Sequence, residues 1–98
     1  MNNLNKDDVV SKIAEEADIS KSAAKRALDA FIDTVKDSLV DDDKITLVGF
    51  GTFLVKIREA RDGRNPQTGE TIHIPKSRVP TFKPGKAFKD ALNEDTQN

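Results

Sequence analysis

The spacing of apolar side chains changes once along this sequence, at Lys44, and that change decides the class of fold. Before it, Val9/Val10, Ile13, Ala14 and Ala17 recur at helical spacing, and Ala24, Leu28, Phe31, Val35 and Leu39 step by four, three, four and four along one face. After it the period is two: Ile45 and Leu47, then Phe53, Val55 and Ile57 alternating with Leu54, Lys56 and Arg58. Helices followed by antiparallel strands make an α+β fold. Asn5 with Asp8 three residues on resembles a capping box, so the first helix is expected from about Lys6 to Ala17. Ser20 is a good N-cap for a second, from about Lys21 to Val40. Asp41, Asp42 and Asp43 suit a helix C-terminus poorly, because the dipole there favours cations, and they read as a solvated stop. A calcium loop would need alternating ligands and a glycine, which this run lacks. Gly49 and Gly51 around Phe50 predict a tight turn with an aromatic anchor, and no Gly-Lys-Ser/Thr follows to make a phosphate loop.

Beyond Ile57 the apolar content collapses through Arg58–Glu70 before Ile72 and Ile74 restore an extended pattern that continues to Phe82. The tip of a hairpin is expected between Asn65 and Gly69. A ribbon this poor in apolar residues cannot pack a core of its own, so it should project from the body and meet a partner. Pro84 and Gly85 then precede a short helix with Ala87/Phe88 and Ala91/Leu92 on one side and Lys86 and Lys89 on the other. The expected organisation is a single domain: a helical dimerisation body over 5–43, sheet and arm over 44–82, a C-terminal helix over 84–93 and a polar tail over 94–98. Leu, Ile, Val and Phe together number 25 of 98 residues, above the roughly 20% below which chains tend to stay disordered. With an arm and a tail subtracted, that is little for a monomer, and a core shared between two chains is the expected remedy.

Cysteine is absent and His73 is the single histidine, which excludes disulfides, thiol catalysis and zinc fingers; neither a metal nor a cofactor is expected. No apolar run approaches the ~18 residues that cross a bilayer, and the N-terminus lacks a basic and an apolar region, so a soluble, unprocessed, intracellular protein is expected. An enzyme is the least favoured class: His73 alternates with Ile72 and Ile74 with no nucleophile or metal set beside it.

The formal net charge is −1, but it is unevenly divided. Residues 1–43 carry six basic and eleven acidic side chains, residues 44–89 carry ten basic and three acidic, and Asp90, Glu94 and Asp95 close the chain. A polyanion meets the field within a Debye length, ~8 Å at physiological salt, so the cationic stretch can bind phosphate beside an anionic one. Arg58, Arg61 and Arg64 recur every three residues. In an extended strand successive members fall on opposite faces, unless a bulge or twist restores them to one side. A two-stranded ribbon with cations on both flanks suits a groove walled by two phosphate backbones; a solvated hairpin charged for solubility and edge protection is the alternative. At the tip, Pro66 stands among Arg64, Asn65 and Gln67, either as a wedge for a base step or as a turn residue alone.

Gly49-Phe50-Gly51-Thr52-Phe53, Arg58-x-x-Arg61, Gly63-Arg64-Asn65-Pro66-Gln67-Thr68-Gly69 and Val79-Pro80-x-Phe82-x-Pro84-Gly85-Lys86, with Ala17-Asp18-Ile19-Ser20 before the second helix, resemble the HU/IHF family of bacterial histone-like DNA-binding proteins over nearly the whole chain. The resemblance implies an intertwined dimer with a three-stranded antiparallel sheet, whose two β-ribbon arms wrap the minor groove of double-stranded DNA, the tip prolines kinking it. The wedge is then Pro66, with Arg64, Asn65, Gln67 and Thr68 at the groove. Lys56, Arg58, Arg61, Lys76 and Arg78 become arm cations, Lys6, Lys83, Lys86 and Lys89 body phosphate contacts, and Phe31, Phe50, Phe53 and Phe82 dimer core. The implied role is non-sequence-specific binding and bending, with nicked or bent forms as candidate substrates, in the cytoplasmic nucleoid. A homodimer is expected, a heterodimer with a paralogue being the alternative. Two features depart from the usual basic family pattern: the pI is near 5.8, and Glu59, Asp62 and Glu70 sit on or beside the arm. Competing functions are a sequence-preferring IHF-like subunit, a helix-turn-helix regulator reading the major groove with Lys21, Ser22, Lys25 and Arg26, and an acidic scaffold dimer that binds no nucleic acid.

Overall fold

In a computed structural model, described here for residues 2–94, the elements run α1 (Lys6–Ala17), α2 (Lys21–Val40), β1 (Ile45–Leu47), β2 (Gly51–Arg58), β3 (Arg61–Arg64), β4 (Thr71–Ile74), β5 (Ser77–Pro84) and α3 (Lys86–Asn93). Residues 95–98 of the expected tail lie outside the described residues. The chain divides into two compact units, Met1–Asp37 and Ser38–Asn98, so the last turn of α2 goes with the sheet.

In the first unit both helices start where their caps dictate. The Asp8 amide donates to Asn5 Oδ1 at 2.9 Å while the Asn5 amide donates to Asp8 Oδ2 at 3.0 Å, a complete capping box. Ser20 Oγ accepts from the Ala23 amide at 3.0 Å. Lys21 pairs with Asp7 of α1, and Lys6 with Asp29 of α2. α1 ends with Asp18 in the left-handed conformation (φ 54°), the Ile19 amide reaching back to the Ala14 carbonyl.

The second unit begins with the same device. Asp42 is left-handed (φ 63°), its amide donates to the Leu39 carbonyl at 3.0 Å, and the Asp43 amide donates to the Ser38 carbonyl at 2.8 Å. This paired pattern closes the helix in a Schellman cap that usually takes glycine. The aspartate run is therefore not a purely solvated stop; its middle residue shapes the helix end.

Three strands form one antiparallel sheet in the order β1-β2-β5, and β3-β4 form a separate two-stranded ribbon. β5 is an edge strand, which is where Pro80 and Pro84 are tolerated. Leu47 and Gly51 pair across the first hairpin, with Gly49 at φ 85° in its turn. Gly51 answers a different need: a Cβ there would sit 2.6 Å from the Phe82 ring and the Lys83 carbonyl oxygen. Phe50, Phe53, Phe82 and Phe88 gather on that close approach, with ring centroids 4.9 Å apart for Phe53 and Phe82, 5.0 Å for Phe50 and Phe82, and 5.3 Å for the stacked Phe50 and Phe88.

Apolar burial is sparse. Val10, Ala24 and Leu39 are the buried hydrophobic residues among those described, and no large side chain is fully enclosed. Phe31, Val40, Phe50, Ile57 and Leu92 are exposed.

Candidate nucleic-acid interface

The arm continues the body sheet without an inserted residue. Arg58 pairs with Ser77 and Arg61 with Ile74, three positions further along each strand, so no bulge realigns the arginines. The pleat therefore puts Arg61 and Gly63 with Ile72 and Ile74 on one face of the ribbon, and Asp62 and Arg64 with Thr71 and His73 on the other. Gly63 leaves room for Ile74, whose Cδ1 would meet a Cβ at 3.0 Å. Between the two ladders Glu59-Ala60 and Pro75-Lys76 are unpaired, and Pro75 has no N–H to offer.

The tip is closed by its own hydrogen bonds. The Asn65 amide donates to the Glu70 carbonyl at 2.8 Å, the Gly69 amide donates to the Asn65 carbonyl at 2.7 Å, and Gly69 takes φ 76°. Asn65 Oδ1 accepts from the Gln67 amide at 2.9 Å, and Thr68 Oγ1 accepts from the Glu70 amide at 3.3 Å. Asn65 and Thr68, expected at the groove, thus shape the turn that presents Pro66 and Gln67, both exposed, at its apex.

Lys56, Arg58, Arg61, Arg64 and Lys76 are exposed, and among the described residues none has a side-chain ion pair. Arg78 is different. It lies on the same face of β5 as Pro80 and Phe82, and its Nη2 donates to the carbonyls of Leu39 at 2.9 Å and Val40 at 3.0 Å and to Asp42 Oδ1 at 2.6 Å. Of the body cations, Lys6 is paired with Asp29 and Lys86 with Asp90 at 3.3 Å, while Lys83 and Lys89 are exposed without an ion pair among the described residues. The Lys6 ammonium, and next Lys25, hold the Asp29 carboxyl below the ordinary carboxylate range. His73 stands opposite Asp62, its Nδ1 3.5 Å from Oδ1.

Phe50, Phe53 and Phe82 are brought together in the second unit, whereas Phe31 lies in the first. Phe88 of α3 adds a fourth ring; amphipathic spacing places it on the apolar side of the helix but does not single it out as a partner of Phe50. The cations read from Lys21 and Lys25 for a helix-turn-helix are held by Asp7 and Asp29. No group of metal-ligating residues exists among those described, and no described helix is long and apolar enough to cross a membrane.

The sequence matches the model of a family described as bacterial DNA-binding protein over residues 4–93. It belongs to the HU family of those proteins. DNA-binding protein HU-beta of Escherichia coli K12 is 59% identical over 90 residues, 92% of this chain and 100% of that protein. DNA-binding protein HU 1 of Bacillus subtilis is 54% identical over 91% of this chain and 97% of its own length. Among solved structures, HU in an Anabaena HU-DNA cocrystal superposes with a TM-score of 0.85 at 43% identity, covering 91% of this chain and 97% of that one. HU from Thermotoga maritima superposes with a TM-score of 0.66 at 29% identity, covering 91% and 98%. The exposed ribbon and its proline apex therefore belong to an HU fold.

Proposed function

We propose that this chain binds double-stranded DNA with little regard to sequence and bends it, working as a homodimer whose arms enter the minor groove, in a histone-like role on the bacterial nucleoid of the cytoplasm. The observation that carries this is the arm: a ribbon with solvent-facing cations on both faces, no core to bury, and an exposed proline held at the apex of an internally hydrogen-bonded turn. Lys56, Arg58, Arg61, Arg64 and Lys76 line the phosphates of the groove, and Lys6, Lys83, Lys86 and Lys89 take phosphates at the body. Pro66 enters a base step beside Arg64 and Gln67, at the unstacking cost of a few kcal/mol that bent DNA returns through added contacts. Assembly of two chains is supported by the small number of buried apolar residues and by the exposure of Phe31, Val40 and Leu92. Glu59, Asp62 and Glu70 lower the arm's positive field, so binding is weaker than for a uniformly basic arm.

A gel-shift series with linear, nicked and pre-bent duplexes in graded salt tests this. Binding that tracks duplex form rather than sequence, with affinity falling steeply as salt rises, is expected. One preferred sequence, or a footprint that survives deletion of residues 60–75, would move the contact from the arm to the helices.

A further inference from the structure

Arg78 is the arm cation that does not behave like the others. Lys56, Arg58, Arg61, Arg64 and Lys76 carry no ion pair among the described residues, but the Arg78 guanidinium, though exposed, is engaged by two helix-end carbonyls and a carboxylate. Those carbonyls are at the negative end of the α2 dipole, and Asp42 adds a full negative charge at 2.6 Å. A phosphate approaching this site meets a neutralised cation. The bond also answers a need of the helix end: Asp42 holds a left-handed backbone without being glycine, a strained conformation, and a charge-assisted partner offsets that strain.

Arg78 also sits at a mechanically particular place. It pairs with Ile57 in the register, one step before the ladder ends at Arg58 and Ser77, beyond which Glu59-Ala60 and Pro75-Lys76 are unpaired. The arm thus has a weak joint, and Arg78 fastens the body side of that joint to the end of α2. A bent duplex pulls on the tip, and the pull is resisted only where the root is anchored.

We infer that Arg78 is a positioning residue for DNA bending: it latches the root of the arm to the C-terminal turn of α2 and makes no phosphate contact of its own. This rests on the arm being the DNA-bending element. Two variants test it in full-length protein, Arg78→Met and Asp42→Gly. The second removes the charged acceptor of the latch and leaves its two carbonyl acceptors, while giving the left-handed position its preferred residue, so the helix end stays closed. The readouts are the salt dependence of binding to a linear duplex and energy transfer between the labelled ends of a short duplex at saturating protein, with circular dichroism and thermal melts as folding controls. Expected is an unchanged log-log salt slope in both variants, with a large loss of bending and of preference for nicked over linear DNA in Arg78→Met and a smaller loss in Asp42→Gly. A slope lower by ~0.9 for each Arg78 removed would make Arg78 a phosphate contact. In that case Asp42→Gly, by freeing the guanidinium, would tighten binding and steepen the slope, the opposite of the latch prediction. Bending as sharp as that of the parent in folded Arg78→Met would also overturn the latch. If the parent itself fails to bend DNA, it is the functional proposal above that fails.

Discussion

Arg78 and Lys6 are cations already engaged before any ligand arrives. Both are cations in a family whose ligand is a polyanion, yet each is engaged within its own unit, Arg78 with α2 and Asp42, Lys6 with Asp29. The sequence did contain a sign of the first: period two puts Arg78 on the face that carries Phe82, whereas Arg58 alternates away from Phe53 and Val55. It held no comparable sign that Asn65 and Thr68 would be used by their own turn, because an Asx turn and a groove contact call for the same residue types. Asp29 gives a prediction at this scale. Its carboxyl is held low by Lys6 and then Lys25, so its contribution to stability is complete above the unfolded carboxylate range near pH 4 and is lost as pH falls through the lower folded value. Asp29→Asn should therefore flatten the acid limb of a helicity titration below about pH 4. By releasing Lys6 it should also tighten DNA binding at fixed low salt on the order of a few-fold, the scale of an exposed ion pair. Weaker binding in a folded Asp29→Asn protein would show that Lys6 does not reach phosphate.

The elements were legible where local chemistry is decisive. α1 and α2 start at Asn5 and Ser20 because a side-chain oxygen must meet the orphaned amides of the first turn, and those oxygens are visible in sequence. Their ends were less so: both use an aspartate in the left-handed position where glycine is the usual marker, so the closing turns at Asp18 and Asp42 carry no distinctive residue. The arm was legible from its missing apolar residues, and its lack of a bulge was not, since register is set by pairing across the hairpin. Gly51 joins the first hairpin to the aromatic cluster, and its requirement is space rather than a left-handed backbone. Gly51→Ala drives a methyl against the Phe82 ring and the Lys83 carbonyl and should lower the urea midpoint by an amount corresponding to about 1–3 kcal/mol. Gly49→Ala would instead strain a left-handed turn in open space. A Gly51→Ala midpoint equal to that of the parent would mean that the cluster yields easily.

At the scale of the whole molecule, the dominant fact is how little of the apolar surface one chain hides. Val10, Ala24 and Leu39 do not make a core that sustains a domain, while Phe31, Phe50, Val40 and Leu92 remain exposed. If a second copy covers that surface, folding and association are one equilibrium, and the melting temperature should rise with protein concentration. A concentration-independent melt with a monomer mass in sedimentation would contradict it. The charge division has its meaning at this scale too. The excess of acid over base within residues 1–43 leaves the total slightly negative, but the cations that matter are concentrated over residues 44–89. Lys86→Ala, on α3, should lower the log-log salt slope by ~0.9 per contact removed and weaken all sequences alike; an unchanged slope would remove Lys86 from the phosphate set. In the proposed function these contacts serve one act, DNA bending, and it is measured most directly by energy transfer between the ends of a short labelled duplex at saturating protein, comparing the parent with Pro66→Ala. Loss of most of the bend and of the preference for nicked DNA, with phosphate binding retained and circular dichroism unchanged, is the predicted result. A Pro66→Ala protein that bends DNA as sharply as the parent, with the same preference for nicked duplex, would leave Pro66 as a turn residue and contradict the account of how the arm works.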